Sequence, residues 1–83
     1  MLPPRKLYKI GEVMEFSGLS RQTVHNYTIL GLITEVERTQ GHHRLYAEDV
    51  FERLRQIQDL KKQKKTLLEI RRILGGNREM QQE

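Results

Sequence analysis

Apolar residues recur at helical spacing in two short segments near the start of the chain. They are Ile10, Val13 and Met14 in the first segment, and Val24 and Tyr27 in the second. Between the segments, Gly18 suits the left-handed conformation that ends a helix, and Ser20 is a favourable N-cap. The pattern predicts two short helices, the second over Arg21 to Leu30, joined by a tight turn as in a helix-turn-helix.

The spacing of apolar residues changes after Gly31. Residues 33–36 are rich in strand formers, residues 39–42 are typical of a turn, and residues 43–46 supply a returning strand. A short hairpin directly after a helix-turn-helix is typical of a wing. We expect Tyr46 to pack the base of this wing onto the core.

Helical spacing returns from about Ala47. Farther on, Thr66 and Glu69 have the spacing of a capping box, which predicts the start of a fourth helix. We expect the glycine pair at residues 75–76 to end that helix. The predicted fold class is mainly α, a four-helix winged helix-turn-helix with a short two-stranded β-hairpin as its wing.

The length of the chain allows one domain. A chain of 83 residues buries only about 60% of the surface that its unfolded form exposes, so it supports one modest core. We expect a flexible basic arm at residues 1–8, a winged helix-turn-helix domain at residues 9–75, and a disordered tail at residues 76–83.

Charge and composition narrow the classes of function. The net charge is +4 and the isoelectric point is near 9.7, which favours a polyanionic partner, nucleic acid first. The chain has no cysteine, no apolar run long enough for a membrane span and no secretion signal core, so we expect a cytoplasmic protein. The acidic residues are scattered and no glycine-rich phosphate loop is present, so we expect neither an enzyme nor a cofactor.

Three stretches of the chain carry a recognisable pattern. The first is Tyr8-Lys9-Ile10-Gly11-Glu12-Val13 followed by Ser17-Gly18-Leu19-Ser20, Thr23-Val24, Tyr27 and Leu30-Gly31-Leu32-Ile33. The second is Arg38-Thr39-Gln40-Gly41-His42-His43-Arg44-Leu45-Tyr46, and the third is Thr66-Leu67-Leu68-Glu69-Ile70-Arg71. In this order and spacing they resemble the MerR family of bacterial transcription regulators, over about residues 8–74. Each stretch alone is a weak signal, and their combination is specific.

The resemblance implies a function and a set of partners. The second helix would enter the major groove of double-stranded DNA, and the wing would lie along the backbone or the minor groove. Family members act as dimers on promoters and change how RNA polymerase engages the DNA, which implies a place at the nucleoid. The family's dimer helix follows the fourth helix, so we expect a monomer for the chain as given and a homodimer if it continues past Glu83.

The second helix supplies the candidate base contacts. The candidate residues of this helix are Arg21, Gln22, Thr23, His25, Asn26 and Tyr27. Tyr27 differs from the others, because we expect its hydroxyl to contact a phosphate. Arginine can hold guanine, and glutamine or asparagine can hold adenine, through two hydrogen bonds each. The family often has Arg-Tyr-Tyr where this chain has His25-Asn26-Tyr27, so its target sequence cannot be transferred. The alternative interpretation is an ordinary solvated helix face.

Two further basic groups are candidates for phosphate contacts. The hairpin carries Arg38, His42, His43 and Arg44, and the junction of the third and fourth helices carries Lys61, Lys62, Lys64 and Lys65. Such contacts position a protein on DNA without selecting a sequence. The histidine pair also allows a metal site, but no cysteine and no nearby third histidine would complete it, so we expect no metal. A solvated surface is the other alternative for both groups.

Three classes of function remain open from the sequence. The first is sequence-specific DNA binding by a transcription regulator. The second is a small excisionase-like architectural protein, which would use the same winged domain to bend DNA. The third is a protein-interaction module that holds an acidic partner on its basic face. Salt-sensitive, sequence-selective duplex binding separates the first two classes from the third.

Overall fold

The structure is a computed structural model that describes residues 6–81, with side chains described through residue 75. Its elements, in chain order, are β1 (Leu7–Lys9), α1 (Ile10–Ser17), α2 (Arg21–Ile29), β2 (Glu37–Arg38), β3 (Arg44–Ala47), α3 (Asp49–Lys62) and α4 (Leu67–Gln81). The mainly helical fold with four helices and a helix-turn-helix at α1 and α2 is confirmed. None of the helices within the described range is long and apolar enough to cross a membrane.

Local sequence signals fix the ends of the first two helices. Gly18 follows α1 with φ of 78°, and Gly31 follows α2 with φ of 81°, two left-handed positions that favour glycine. Ser20 caps α2, because its Oγ accepts a hydrogen bond of 3.1 Å from the Thr23 backbone N–H. The predicted boundaries of this helix-turn-helix are therefore confirmed to within one residue.

Carboxylates cap the first turns of α1 and α4. Glu69 accepts a hydrogen bond of 2.8 Å from the Thr66 N–H, and Thr66 Oγ1 accepts one of 3.1 Å from the Glu69 N–H, which confirms the capping box. The Thr66 N–H holds the pKa of Glu69 below its usual value. The Lys9 N–H, 2.9 Å from Glu12 Oε1, likewise lowers the pKa of Glu12.

The sheet corrects two expectations. It has three antiparallel strands in the order β1-β3-β2, so the two-stranded hairpin gains a third strand from the predicted flexible arm. Tyr8 pairs with Tyr46 across the sheet, and its ring packs edge-on against Phe51 at 4.9 Å, which anchors residues 7–8. The part of the arm over residues 1–5 lies outside the described residues.

The first wing strand begins later than expected. Residues 33–36 were favoured by β-propensity, but the strand β2 covers Glu37–Arg38. Ile33 is instead 2% exposed in the core, because burying its side chain outweighs a weak local preference for strand. The returning strand β3 and the turn before it lie where we expected them.

The helix α4 is longer than predicted. It continues through Gly75 and Gly76 to Gln81, so neither the helix stop nor a disordered tail over residues 76–81 is correct. Residues 78–81, which follow the glycine pair in the sequence, are good helix formers that offset the cost of glycine. The last two residues of the predicted tail lie outside the described range.

One core joins all four helices and the sheet. Its buried members are Val13, Val24, Tyr27, Leu32, Ile33, Tyr46, Val50, Leu54, Ile57 and Ile70. The burial of Val24 and the packing of Tyr46 at the base of the wing are as predicted. The Tyr46 hydroxyl lies 2.8 Å from Thr28 Oγ1, so the sheet is hydrogen-bonded to α2 inside the core.

Leu54 is 3% exposed at the centre of α3, whereas Leu68 on α4 is 68% exposed. We expect Leu54→Ala to lower the free energy of unfolding by about 2–5 kcal/mol, because a cavity replaces the lost side chain. Leu68→Ala removes the same atoms from an exposed site and should change stability by less than about 0.5 kcal/mol. Urea unfolding of both variants measures the difference, and equal effects would show that the core is assigned wrongly.

Candidate nucleic-acid interface

The exposed face of α2 presents its polar side chains as a group. Arg21, Gln22 and Asn26 are exposed, and Gln22 Nε2 donates a hydrogen bond of 2.9 Å to Asn26 Oδ1. Thr23 is half-buried, and its Oγ1 accepts a hydrogen bond of 2.9 Å from Ser20 Oγ. Thr23 therefore serves the helix cap, while the other three offer donors and acceptors to a partner.

A groove of about 250 Å³ separates α2 from the wing. It is lined by Ile10, Arg21, Gln22, His25, His42, His43 and Arg44. Six of these seven residues are predicted site residues, and they come from two segments that are distant in the sequence. The fold therefore brings the helix and wing candidates to one surface, which we call the wing groove.

Both wing arginines are held by one carboxylate. Glu35 accepts a hydrogen bond of 2.7 Å from Arg44 Nε on one oxygen and pairs with Arg38 Nε through the other. Hydrogen bonds from Arg38, and then from Arg44, hold the pKa of Glu35 below its usual value against the opposing effect of burial. The Arg44 NH1 group also lies 3.3 Å from His25 Nδ1, so the contacts of Glu35 and Arg44 extend to α2.

Glu35 is absent from the site residues predicted from the sequence. The signal available was an acidic residue close to two arginines, three residues before Arg38 and nine before Arg44. The side chain of Arg44 is only 23% exposed, against 47% for Arg38, so the two arginines are not equivalent. Arg38 remains accessible to a partner, whereas Arg44 is largely occupied within the protein.

Tyr27 is a core residue with one polar end at the surface. It is 2% exposed, and its hydroxyl accepts a hydrogen bond of 3.4 Å from Lys61 Nζ. The contact joins the second helix to the lysine cluster, which comprises Lys61, Lys62, Lys64 and Lys65. All four lysines are exposed, two in the last turn of α3 and two in the turn before α4.

Two candidate residues have left-handed backbones without being glycine. His42, in the wing turn, and Lys64, after α3, both have φ of 67°. The Lys64 N–H bonds the Lys61 carbonyl at 2.9 Å, and the Lys65 N–H bonds the Leu60 carbonyl at 3.1 Å. This is the Schellman arrangement, in which the left-handed position is usually glycine. Lysine at this position is therefore strained.

All three histidines of the chain line the wing groove. Within residues 6–81, no group of three or more histidine or acidic side chains is arranged to hold a metal ion. The groove also contains two arginines, whose positive charge opposes binding of a cation. Its chemistry therefore suits an anionic or hydrogen-bonding partner.

Comparison with known sequences identifies related regulators. The sequence model described as "MerR HTH family regulatory protein" matches residues 8–76. The nodulation protein NolA of Bradyrhizobium diazoefficiens is 38% identical over 74 residues, which are 89% of this chain and 31% of NolA. The mercuric resistance operon regulatory protein of Bacillus cereus is 37% identical over 82% of this chain and 52% of its own length. The chain thus spans about a third to a half of these relatives.

Solved structures give the same result. The N-terminal part of MtaN, the Bacillus subtilis multidrug transporter activator, superposes with a TM-score of 0.76 and 36% identity over 81% of this chain and 63% of that one. A Bacillus cereus transcriptional regulator of the MerR family superposes with a TM-score of 0.74 and 29% identity, over 83% of this chain and 52% of its own. The winged helix-turn-helix fold is therefore shared with known regulators.

The strain at Lys64 leads to a stability prediction. We expect Lys64→Gly to raise the free energy of unfolding by about 0.5–1 kcal/mol, because a left-handed conformation costs about 1–2 kcal/mol for a residue with Cβ and glycine's extra unfolded-state entropy offsets part of the gain. Lys62→Gly removes the same charge from a helical position and should lower stability by about 0.5–1 kcal/mol. Thermal unfolding of both variants tests the sign of each change in stability. If both variants were less stable than wild type, Lys64 would not be a strained position.

Proposed function

The chain belongs to the MerR family of helix-turn-helix regulatory proteins, and from this premise we propose how it engages double-stranded DNA. It binds sequence-specifically, as the DNA-binding domain of a transcription regulator. The observation that carries the proposal is the wing groove, where the capped helix α2 and the basic wing form one continuous surface. An α-helix of this kind fits the major groove of B-DNA, and a flanking wing can then reach the backbone.

Residues on α2 contact base edges in this proposal. Arg21 has the donors for guanine O6 and N7, and Gln22 or Asn26 can pair with adenine N6 and N7. The mutual hydrogen bond of Gln22 and Asn26 orients both amides in the free protein. Their exposure on the first two turns of the helix supports a direct contact.

The wing and the lysine cluster hold the phosphates. Arg38, His42 and His43 are exposed on the wing, and the exposed lysine cluster adds further positive charge. The hydrogen bond from Lys61 to the Tyr27 hydroxyl supports this placement, because it sets the cluster beside the recognition helix. These contacts fix the register of the protein on DNA without selecting a sequence.

We further propose a role for this domain in a longer protein. There it acts in the cytoplasm at the nucleoid, as part of a homodimer that alters transcription by RNA polymerase. The match to a family of regulatory proteins, one of them named as the regulator of an operon, supports this proposal. The related proteins are named as regulators rather than as enzymes or excisionases, which favours regulation over the architectural alternative.

Alanine variants should separate the two kinds of contact. Lys62→Ala or Lys65→Ala should weaken binding to all duplexes alike and reduce the slope of log K against log salt by about 1, because one phosphate contact is lost. Arg21→Ala or Gln22→Ala should cost about 1–3 kcal/mol on the preferred duplex and little on a scrambled one. The preferred duplex is first obtained by selection from a random library, and binding is titrated at two salt concentrations.

Arg55→Ala provides the matched control for charge. Arg55 is exposed on α3, pairs with Glu52 at 2.6 Å and does not line the wing groove. Arg55→Ala should leave unchanged the affinity for both duplexes and the dependence of that affinity on salt. The proposal fails if the lysine variants alter sequence preference while the α2 variants weaken all duplexes equally, since α2 would then be a supporting helix.

We also propose that the 83-residue chain is a monomer. Among residues 6–75, the large apolar residues left exposed come from three helices and the segment before β2, and they are Phe16, Ile29, Val36, Leu68 and Ile73. A stable dimer buries about 1,200–2,000 Å² with a contiguous apolar centre, and these exposed residues come from four separate segments. We therefore expect no such interface between two copies of the chain. Analytical ultracentrifugation at tens of micromolar should give a single species of one chain, and a concentration-independent dimer would refute the proposal.

A further inference from the structure

A chain of polar contacts joins Glu35 through Arg44 to His25, and the last two of these residues line the wing groove. Arg44 donates through Nε to Glu35 Oε1 at 2.7 Å and lies, through its NH1 group, 3.3 Å from His25 Nδ1. The side chains of Glu35 and Arg44 are only 24% and 23% exposed, so water screens their contact less than it would at an open surface. A wing residue therefore acts on a residue of the recognition helix.

The donors of arginine restrict which tautomer of a neutral histidine can hydrogen-bond to it. A guanidinium has donors and no acceptor, so the contact with Arg44 is a hydrogen bond only when His25 Nδ1 carries no proton. In the neutral ring the proton is then on Nε2. That nitrogen takes part in none of the hydrogen bonds formed among the described residues, and the His25 side chain lines the wing groove.

We propose that Glu35 is a positioning residue for sequence recognition, which acts through Arg44 to make His25 present Nε2–H to a hydrogen-bond acceptor on a base edge. The acceptor is of the kind that purine N7, guanine O6 and thymine O4 provide in the major groove. The inference rests on the proposed DNA binding and deepens it. It assigns selectivity to a carboxylate that itself touches no DNA.

The rigid fork of Arg44 explains why Glu35 is needed. The guanidinium is planar, so fixing its Nε direction on Glu35 also fixes the direction of NH1 toward His25. Without the carboxylate, the long Arg44 side chain would be free to turn toward a phosphate. Arg38, which pairs with the other oxygen of Glu35, would be released at the same time.

Glu35→Gln therefore has two opposite effects on binding. Affinity for scrambled duplexes rises, because two arginines become available to phosphates. The ratio of affinities for the selected over the scrambled duplex falls about five- to tenfold, the low end for one base-edge contact. Loss of a negative charge alone would raise both affinities and leave the ratio unchanged.

Glu52→Gln is the matched control. Glu52 also pairs with an arginine three residues away, at 2.6 Å, but on α3 and away from the wing groove. The substitution Glu52→Gln removes the same charge from the same kind of pair. It should leave unaltered the ratio of affinities for the selected over the scrambled duplex. Arg44→Lys is a second test, because lysine keeps the charge but lacks the fork that spans Glu35 and His25. It should lower the ratio as Glu35→Gln does.

A double-variant comparison assigns the effect to the histidine. His25→Ala should lower the ratio by a similar factor, and adding Glu35→Gln to it should lower the ratio no further. Equal weakening of both duplexes by His25→Ala would mean a phosphate contact and would overturn the proposal. An additive effect of the two changes would also overturn it, because Glu35 would then act independently of His25.

Nitrogen-15 NMR of the free 83-residue chain separates failure of this inference from failure of DNA binding. Wild type and Glu52→Gln should show the neutral His25 ring with its proton on Nε2 and slow rotation of the Arg44 guanidinium. Glu35→Gln should show mixed tautomers and fast rotation. If these spectra are observed but the protein binds no duplex, the proposed function alone is refuted. If Glu35→Gln gives the same spectra as wild type, the positioning role of Glu35 is refuted.

Discussion

The hydrogen bond between Tyr46 and Thr28 sets the position of the wing relative to the second helix. Thr28 Oγ1 donates its single proton to the Val24 carbonyl at 2.8 Å, so the Tyr46 hydroxyl must be the donor in its 2.8 Å contact with Thr28. Tyr46 is fully buried on β3, which is the central strand of the sheet. A buried hydroxyl has no water to replace a lost partner, so the bond fixes one arrangement of sheet and helix.

The geometry of the wing groove depends on that arrangement. Because β3 is fixed at Tyr46, Arg44 two residues earlier lies on the same strand and reaches both Glu35 and His25. The strand β1 pairs with β3 on its other edge and seats Tyr8 against Phe51. The apolar side of the sheet thus supports the domain, while its polar end organises the charged groups that face the groove.

The elements with strong local signals were predictable, and those that depend on tertiary packing were not. Ser20, Gly18 and the Thr66–Glu69 box determine their helix ends through contacts within four residues, so sequence spacing is sufficient. The strand at residues 7–8 depends on a partner some forty residues away, and no local pattern reveals it. The site residues on α2 and the wing could be selected by type, but Glu35 required the structure to show which arginines it holds.

Backbone strain and charge pairing both constrain the basic surface in the free protein. Lys64 and His42 hold left-handed positions where glycine would be more stable, so the fold accepts a cost at each of these turns. Glu35 in turn pairs with two arginines of the wing, Arg38 and Arg44. In the DNA complex that we propose, the exposed lysines would supply attraction at long range, and the constrained groups in the groove would limit tight contact to a partner that matches their hydrogen bonds. Under that proposal, selectivity depends as much on the arginines that Glu35 holds as on the lysines that stay exposed.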